Sequence, residues 1–173
     1  GLPELFQDAA DYRRYIDIMV ESGAISDSSF VWWALRPSLH HPTLELRVAD
    51  SCTRVEDSLA IAALFRCIVR HLDQHPIQNA ELTGASRAIV AENIWRAQRF
   101  GIHGGLVCEQ RRKMVPVAEI LEETLQLLAD DVCALECEAE LGRCQTILKE
   151  GTSADVQLAI FEGAVTRSGD RGK

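Results

Sequence analysis

The chain has 173 residues, 47% hydrophobic and 25% charged, with a formal net charge of -8. That is the composition of one globular domain with a core, and it excludes a disordered chain. The acidic balance argues against a nucleic-acid backbone or an anionic membrane as the main partner, but leaves room for a small anion held by a local arginine cluster.

Asp8 caps a first predicted helix that runs to about Glu21, with Tyr12, Ile16, Met19 and Val20 as its apolar stripe and Gly23 at its exit. Asp27-Ser28-Ser29 is a turn. Phe30 to Arg36 reads as a strand with Trp32, Ala34 and Arg36 on one face. After a loop from Pro37 to Pro42, the segment 43–48 alternates strictly. Leu44, Leu46 and Val48 point one way, and Thr43, Glu45 and Arg47 the other, which is the period of a half-buried strand. A hairpin is the economical pairing.

Thr53-Arg54-Val55-Glu56 has the form of a capping box that opens a helix to about His71. This helix is apolar on nearly every side through Leu59 to Phe65, so central burial is expected. That run is far too short to span a bilayer. His75-Pro76 breaks it. Ser86 caps a helix to about Phe100, and Gly101 to Gly105 is a loop. Further helices are expected over about Val117–Asp130, Val132–Lys149 and Ser153–Val165, followed by a polar flexible tail over 167–173.

Glu45 and Arg47 lie two residues apart on one strand face, roughly 6–7 Å along the strand. A carboxylate and a guanidinium so placed can hold a divalent cation and a phosphate. They can equally form a solvated same-side ion pair. Asn93, Arg96 and Phe100 share a helix face, and Glu92 sits one turn before Arg96. The pattern allows either a structural ion pair or an Asn and an Arg reaching toward a nucleotide or carboxylate. Cys133, Cys137 and Cys144 form a stripe with Leu141 and Leu148 that reads as core packing rather than a soft-metal site, since no His completes a ligand set. The six cysteines contain no Cys-x-x-Cys pair and follow no signal peptide, which predicts reduced thiols and a cytoplasmic protein.

Three stretches taken in order carry a resemblance. They are Trp32-Trp33-Ala34-Leu35-Arg36-Pro37-Ser38 with Pro42-Thr43-Leu44-Glu45-Leu46-Arg47-Val48, then Glu92-Asn93-Ile94-Trp95-Arg96-Ala97-Gln98-Arg99-Phe100-Gly101, then Gly151-Thr152-Ser153-Ala154-Asp155-Val156-Gln157-Leu158. Their order and spacing resemble the C-terminal half of the bacterial carboxylate–amine ligases related to glutamate–cysteine ligase type 2. The resemblance implies an α+β class, a helix-dominated portion of a glutamine synthetase-like catalytic fold with a short antiparallel β element. It covers 1–166, read as the C-terminal portion of the catalytic domain.

It further implies ATP and Mg²⁺ as cofactors, a glutamate-like carboxylate and an amine as substrates, and amide formation through an acyl phosphate. By this likeness Glu45 is a Mg²⁺ ligand, Arg47 contacts the transferring phosphate, and Arg36, Asn93 and Arg96 line the same pocket. Two positions depart from the family pattern. Ala34 stands where an acidic residue is usual, and Val156 stands where Arg is frequent. The family's N-terminal half, with further metal-binding carboxylates, is not in this sequence, so the expectation is a homo-oligomer-forming portion that is inactive alone. The alternative is a noncatalytic helical interaction or regulatory module derived from the ligase fold.

Overall fold

The computed structural model describes residues 1–169. Among them, seven helices and two separate two-stranded antiparallel sheets make an α+β chain dominated by helix. The chain divides into two compact units, one of Gly1–Asp50 with Leu82–Ala91 and one of Ser51–Glu81 with the chain from Glu92 onward. No helix among the described residues is long and apolar enough to cross a membrane.

In the first unit, helix α1 (Ala9–Glu21) starts at Asp8, whose carboxylate accepts from the amides of Ala10 and Asp11 at 2.7 and 2.8 Å. An aromatic cluster of Phe6, Tyr12, Tyr15 and Trp33, with centroids 5.5 to 6.4 Å apart, replaces an aliphatic core here. Phe30 is not in a strand. A 3-10 turn occupies Ser28–Phe30, and strand β1 is limited to Leu35–Pro37, because the Asp27 carboxylate takes the Ser29 amide and fixes a turn. Strand β2 covers Leu44–Leu46, shorter than its alternating pattern. The hairpin itself forms as expected, with Arg36 directly opposite Glu45.

The second unit is built on helix α2 (Val55–Gln74) packed against α5 (Ala129–Ala134) and α6 (Glu138–Glu150). Ala60, Ala63 and Cys67 recur at i, i+3 and i+7, and these small side chains let Leu141 and Cys144 approach closely. Burial is confined to that stripe. Leu59 is half exposed, so α2 is not buried on all sides as its composition suggested. Arg143 closes the edge of this packing with an ion pair of 2.6 Å to the buried Asp57. The single helix expected over Val132–Lys149 is two helices. Between them Glu136 takes a left-handed backbone with φ 52, and Cys137, Leu141 and Cys144 of the stripe enter the core while Cys133 is exposed.

The remaining elements are α3 (Gly84–Phe100), β3 (Gly105–Cys108), β4 (Lys113–Pro116), α4 (Val117–Leu127) and α7 (Ser153–Gly169). Three helix starts differ from their sequence reading. Thr53 does not cap α2. Its amide and hydroxyl meet the Ser153 hydroxyl at 3.0 and 2.9 Å, which ties the starts of α2 and α7 together. At α3 the cap is Thr83, which exchanges hydrogen bonds with Ser86. At α7 it is Thr152, which exchanges hydrogen bonds with Asp155. The expected tail falls partly on α7, which runs to Gly169, and its last four residues lie outside the described residues.

Candidate active site

The β1–β2 hairpin gathers three of the expected residues. Antiparallel register puts Arg36 and Glu45 side by side on one face. The Arg36 Nε donates to Glu45 Oε2 at 2.9 Å, and its Nη1 donates to the carbonyls of Ser29 and Val31, the latter at 3.1 Å. Arg36 is 9% exposed, so its guanidinium is a buried strut rather than an open ligand. Arg47 reaches the same Oε2 from the other side at 3.4 Å, and its guanidinium lies 5.6 Å from the centroid of the exposed Trp32 ring. The hydrogen bond from Arg36 holds the Glu45 carboxyl below its ordinary range against a smaller opposing effect of burial. Glu45 is therefore an anion at neutral pH with one oxygen between two guanidinium groups. Arg47 is the more accessible of the two arginines.

Ala34 takes part through its backbone. Its amide donates to the Gly1 carbonyl and its carbonyl accepts from the Arg47 amide, both at 2.7 Å, so the strand face beside Arg36 carries a methyl group and no charge. His40 and His41 are exposed in the connecting loop.

Asn93 and Arg96 belong to the second unit. Asn93 mimics a neighbouring strand. Its Nδ2 donates to the Val107 carbonyl at 3.0 Å and its Oδ1 accepts from the Val107 amide at 2.7 Å. Arg96 Nε donates to the Gly105 carbonyl at 2.8 Å, while its Nη1 lies 3.6 Å from Glu92, the i,i+4 ion pair that the spacing allowed. Both residues share one helix face as expected, and that face is laced to β3. Close contact at Gly105 explains its missing side chain, because a Cβ there would meet the Val115 carbonyl oxygen at 3.1 Å.

Two further clusters escaped the sequence reading. In the first, Asp155 accepts from the Thr152 amide and hydroxyl at 2.7 and 2.8 Å and pairs with His103 Nε2 at 2.9 Å. The two Thr152 bonds, then His103, bring its carboxyl down to about 2. In the second, the buried Asp131 pairs with Arg70 and with His71 Nδ1 at 2.9 Å, and His71 Nε2 meets the Gln78 amide nitrogen at 2.9 Å. The Thr152–Asp155 capping pattern was readable in the sequence; the partners 52 and 60 positions away were not. An open groove of about 370 Å³ lies over Leu125, Ala129, Val132 and Leu141, and none of the expected residues lines it.

Comparison with known proteins decides the family. The model of glutamate-cysteine ligase family 2 matches residues 1–170. The chain belongs to glutamate–cysteine ligase family 2. Relatives in this family carry the name "Putative glutamate--cysteine ligase 2". One from Rhodospirillum rubrum is 46% identical over 164 residues, covering 95% of this chain and 42% of the relative. One from Bradyrhizobium diazoefficiens is 44% identical over 161 residues, 93% of this chain and 37% of the relative. One from Ruegeria pomeroyi is 36% identical over 173 residues, 100% of this chain and 45% of the relative. The chain thus spans about two-fifths of the length of these family members. No solved structure matches it.

Proposed function

We propose that this chain is the C-terminal portion of an ATP-dependent carboxylate–amine ligase of the glutamate–cysteine ligase type, with a catalytic fold like that of glutamine synthetase. The observation that supports it most is the Arg36–Glu45–Arg47 cluster, set on one hairpin of a family member. In this reading the substrate carboxylate attacks the γ-phosphorus of ATP and ADP leaves. The amine then attacks the acyl phosphate and phosphate leaves. Chemistry of this kind rests on positioning and charge neutralisation rather than on a protein nucleophile.

Each residue has a role in the proposal. Glu45, ionised and partly exposed, supplies one hard oxygen ligand for Mg²⁺, an ion commonly held by one or two carboxylates together with phosphate oxygens and water. Arg47 offers its guanidinium to the transferring phosphate. Arg36 acts through Glu45, whose carboxylate it holds in place. Arg96 serves the nucleotide with the guanidinium nitrogens not committed to Gly105, and Asn93 fixes β3 beneath it. Among the described residues no group of three or more His, Cys, Asp or Glu side chains could hold a metal ion, so Glu45 needs partners. The rest of the ligase, corresponding to the other three-fifths of the relatives' length, supplies the remaining metal carboxylates and sheet, and the isolated chain is inactive. Acceptance of ATP and small metabolites fits a cytoplasmic enzyme.

A noncatalytic interaction module is the second reading. The uncharged Ala34 and the exposed Leu158, Ile160 and Phe161 of α7 favour it, and the same apolar residues support self-association.

Nucleotide binding separates the readings. Fused to the rest of the Rhodospirillum rubrum relative's chain, this sequence should bind ATP in a Mg²⁺-dependent manner. Arg47→Ala should weaken that binding about 10- to 100-fold, as expected for loss of one charged hydrogen-bonding group. Trp32 fluorescence offers the readout, since Arg47 lies over its ring. Binding that is indifferent to both Mg²⁺ and Arg47 would favour the interaction module.

A further inference from the structure

Six cysteines are spread along the chain, and two of them meet in the core of the second unit. Cys67, midway along α2, is 0% exposed, and Cys137, the residue immediately before α6, is 4% exposed. Their sulfurs are 3.5 Å apart although the residues are seventy positions apart in sequence. A disulfide needs about 2.05 Å, so a further approach of about 1.5 Å closes the bond. Cys137 follows Glu136, whose left-handed backbone turns the chain between α5 and α6, so this sulfur sits at a junction and not in the middle of a rigid helix. Cys144, buried in the same cluster, directs its thiol to the Ala60 carbonyl at 4.0 Å.

We propose that Cys67 and Cys137 are a latent disulfide pair which, once oxidised, locks α2 to the start of α6. The oxidant is a low-molecular-weight disulfide. The Cys137 thiolate attacks one of its sulfurs, and the first small thiol leaves. The Cys67 thiolate then attacks the mixed disulfide at Cys137, forming the internal bond and releasing the second small thiol. Two electrons pass from the protein to the small disulfide, and the two cysteine protons end on the released thiols. Burial, with the neighbouring Cys137 adding to it, pushes the Cys67 thiol up to about 12, so in the closed core it stays a protonated, inert thiol and attacks only once opening hydrates it. Since both sulfurs are closed to solvent, the reaction proceeds from a locally opened state of the α5–α6 junction.

The test uses the chain as it stands, 2-hydroxyethyl disulfide as oxidant, and peptide mass mapping without reduction. The expected product is a Cys67–Cys137 link that forms about tenfold faster in low urea. Cys144→Ser should leave the link intact and Cys137→Ser should abolish it. The oxidised chain should unfold at a higher urea concentration than the reduced one, because the link constrains the unfolded state. Mixed disulfides confined to Cys52, Cys108 and Cys133, or a dominant link other than Cys67–Cys137, would overturn the pairing. A Cys67–Cys137 link that leaves the urea midpoint unchanged would overturn the lock. Mapping the unaltered chain keeps the test independent of whether a cysteine variant folds.

Discussion

Asp131→Ala is expected to destabilise the chain by about 3 kcal/mol, the low end for breaking a buried charged pair. Asp131 is 2% exposed and answers two donors at once, Arg70 from one side and His71 from the other. Alanine leaves the buried His71 Nδ1 without its acceptor. Arg70 is about a third exposed and recovers some hydration, which is why the loss falls at the low end. Asp131→Asn, which keeps an acceptor and removes the charge, should lose about half as much.

The same network sets a pH dependence. Burial opposes ionisation of Asp131, but the hydrogen bonds from Arg70 and His71 outweigh it, and its carboxyl stays below the ordinary range. A group whose folded value is depressed contributes its full stability above the unfolded value of 3.8 and loses it as pH falls through the folded one. The gap between the unaltered chain and Asp131→Asn should therefore be widest near neutrality and shrink below about pH 4. Urea unfolding at pH 7 and pH 3 checks both statements. A variant within about 0.5 kcal/mol of the parent at pH 7 would show that the network carries no net stability.

The second large effect separates two jobs held by one carboxylate. Glu45 fixes the buried Arg36 and, in the proposed ligase, binds Mg²⁺. From sequence alone, Glu45→Ala should weaken metal-dependent nucleotide binding and leave the fold intact. The Arg36 contact changes that expectation. Alanine leaves the Arg36 Nε facing a methyl group, so Glu45→Ala should lower Tm as well as function. Glu45→Gln retains an acceptor for Arg36 and removes the charge a hard cation requires. In the fused ligase its Tm should stay within about 2–4 °C of the parent, while turnover falls on the order of 100-fold. Thermal melts beside initial rates decide this. Equal losses for the two variants at equal Tm would mean that the carboxylate is not a strut, and full turnover by Glu45→Gln would remove it from the metal site.

Alternation at Leu44, Leu46 and Val48 was enough to predict the first hairpin, but not its register, and the sequence carried no sign that Arg36 would be consumed by Glu45 and two carbonyls. The second hairpin was silent. Its turn, Glu109–Arg112, contains no Gly, Pro or Asn, and the left-handed position falls on Arg112 with φ 51. Without β3, the shared face of Asn93 and Arg96 could be read but its target could not. The break between α5 and α6 was hidden in the same way, since Glu136 occupies a left-handed position usually marked by glycine. Helix starts were misplaced by one to three residues where two polar side chains competed for the cap, as at Thr83 and Ser86 or Thr152 and Ser153. Family membership was legible because three motifs kept their order along nearly the whole chain.

The most direct test of the ligase proposal is ADP release with ATP, Mg²⁺, glutamate and a panel of amino acids. It should be measured on this chain alone and on its fusion to the rest of the Rhodospirillum rubrum relative. The account predicts none from the chain alone and amine-dependent ADP from the fusion. No ADP from the fusion, under conditions where the unaltered relative releases it, would contradict the account and leave the chain as an interaction module.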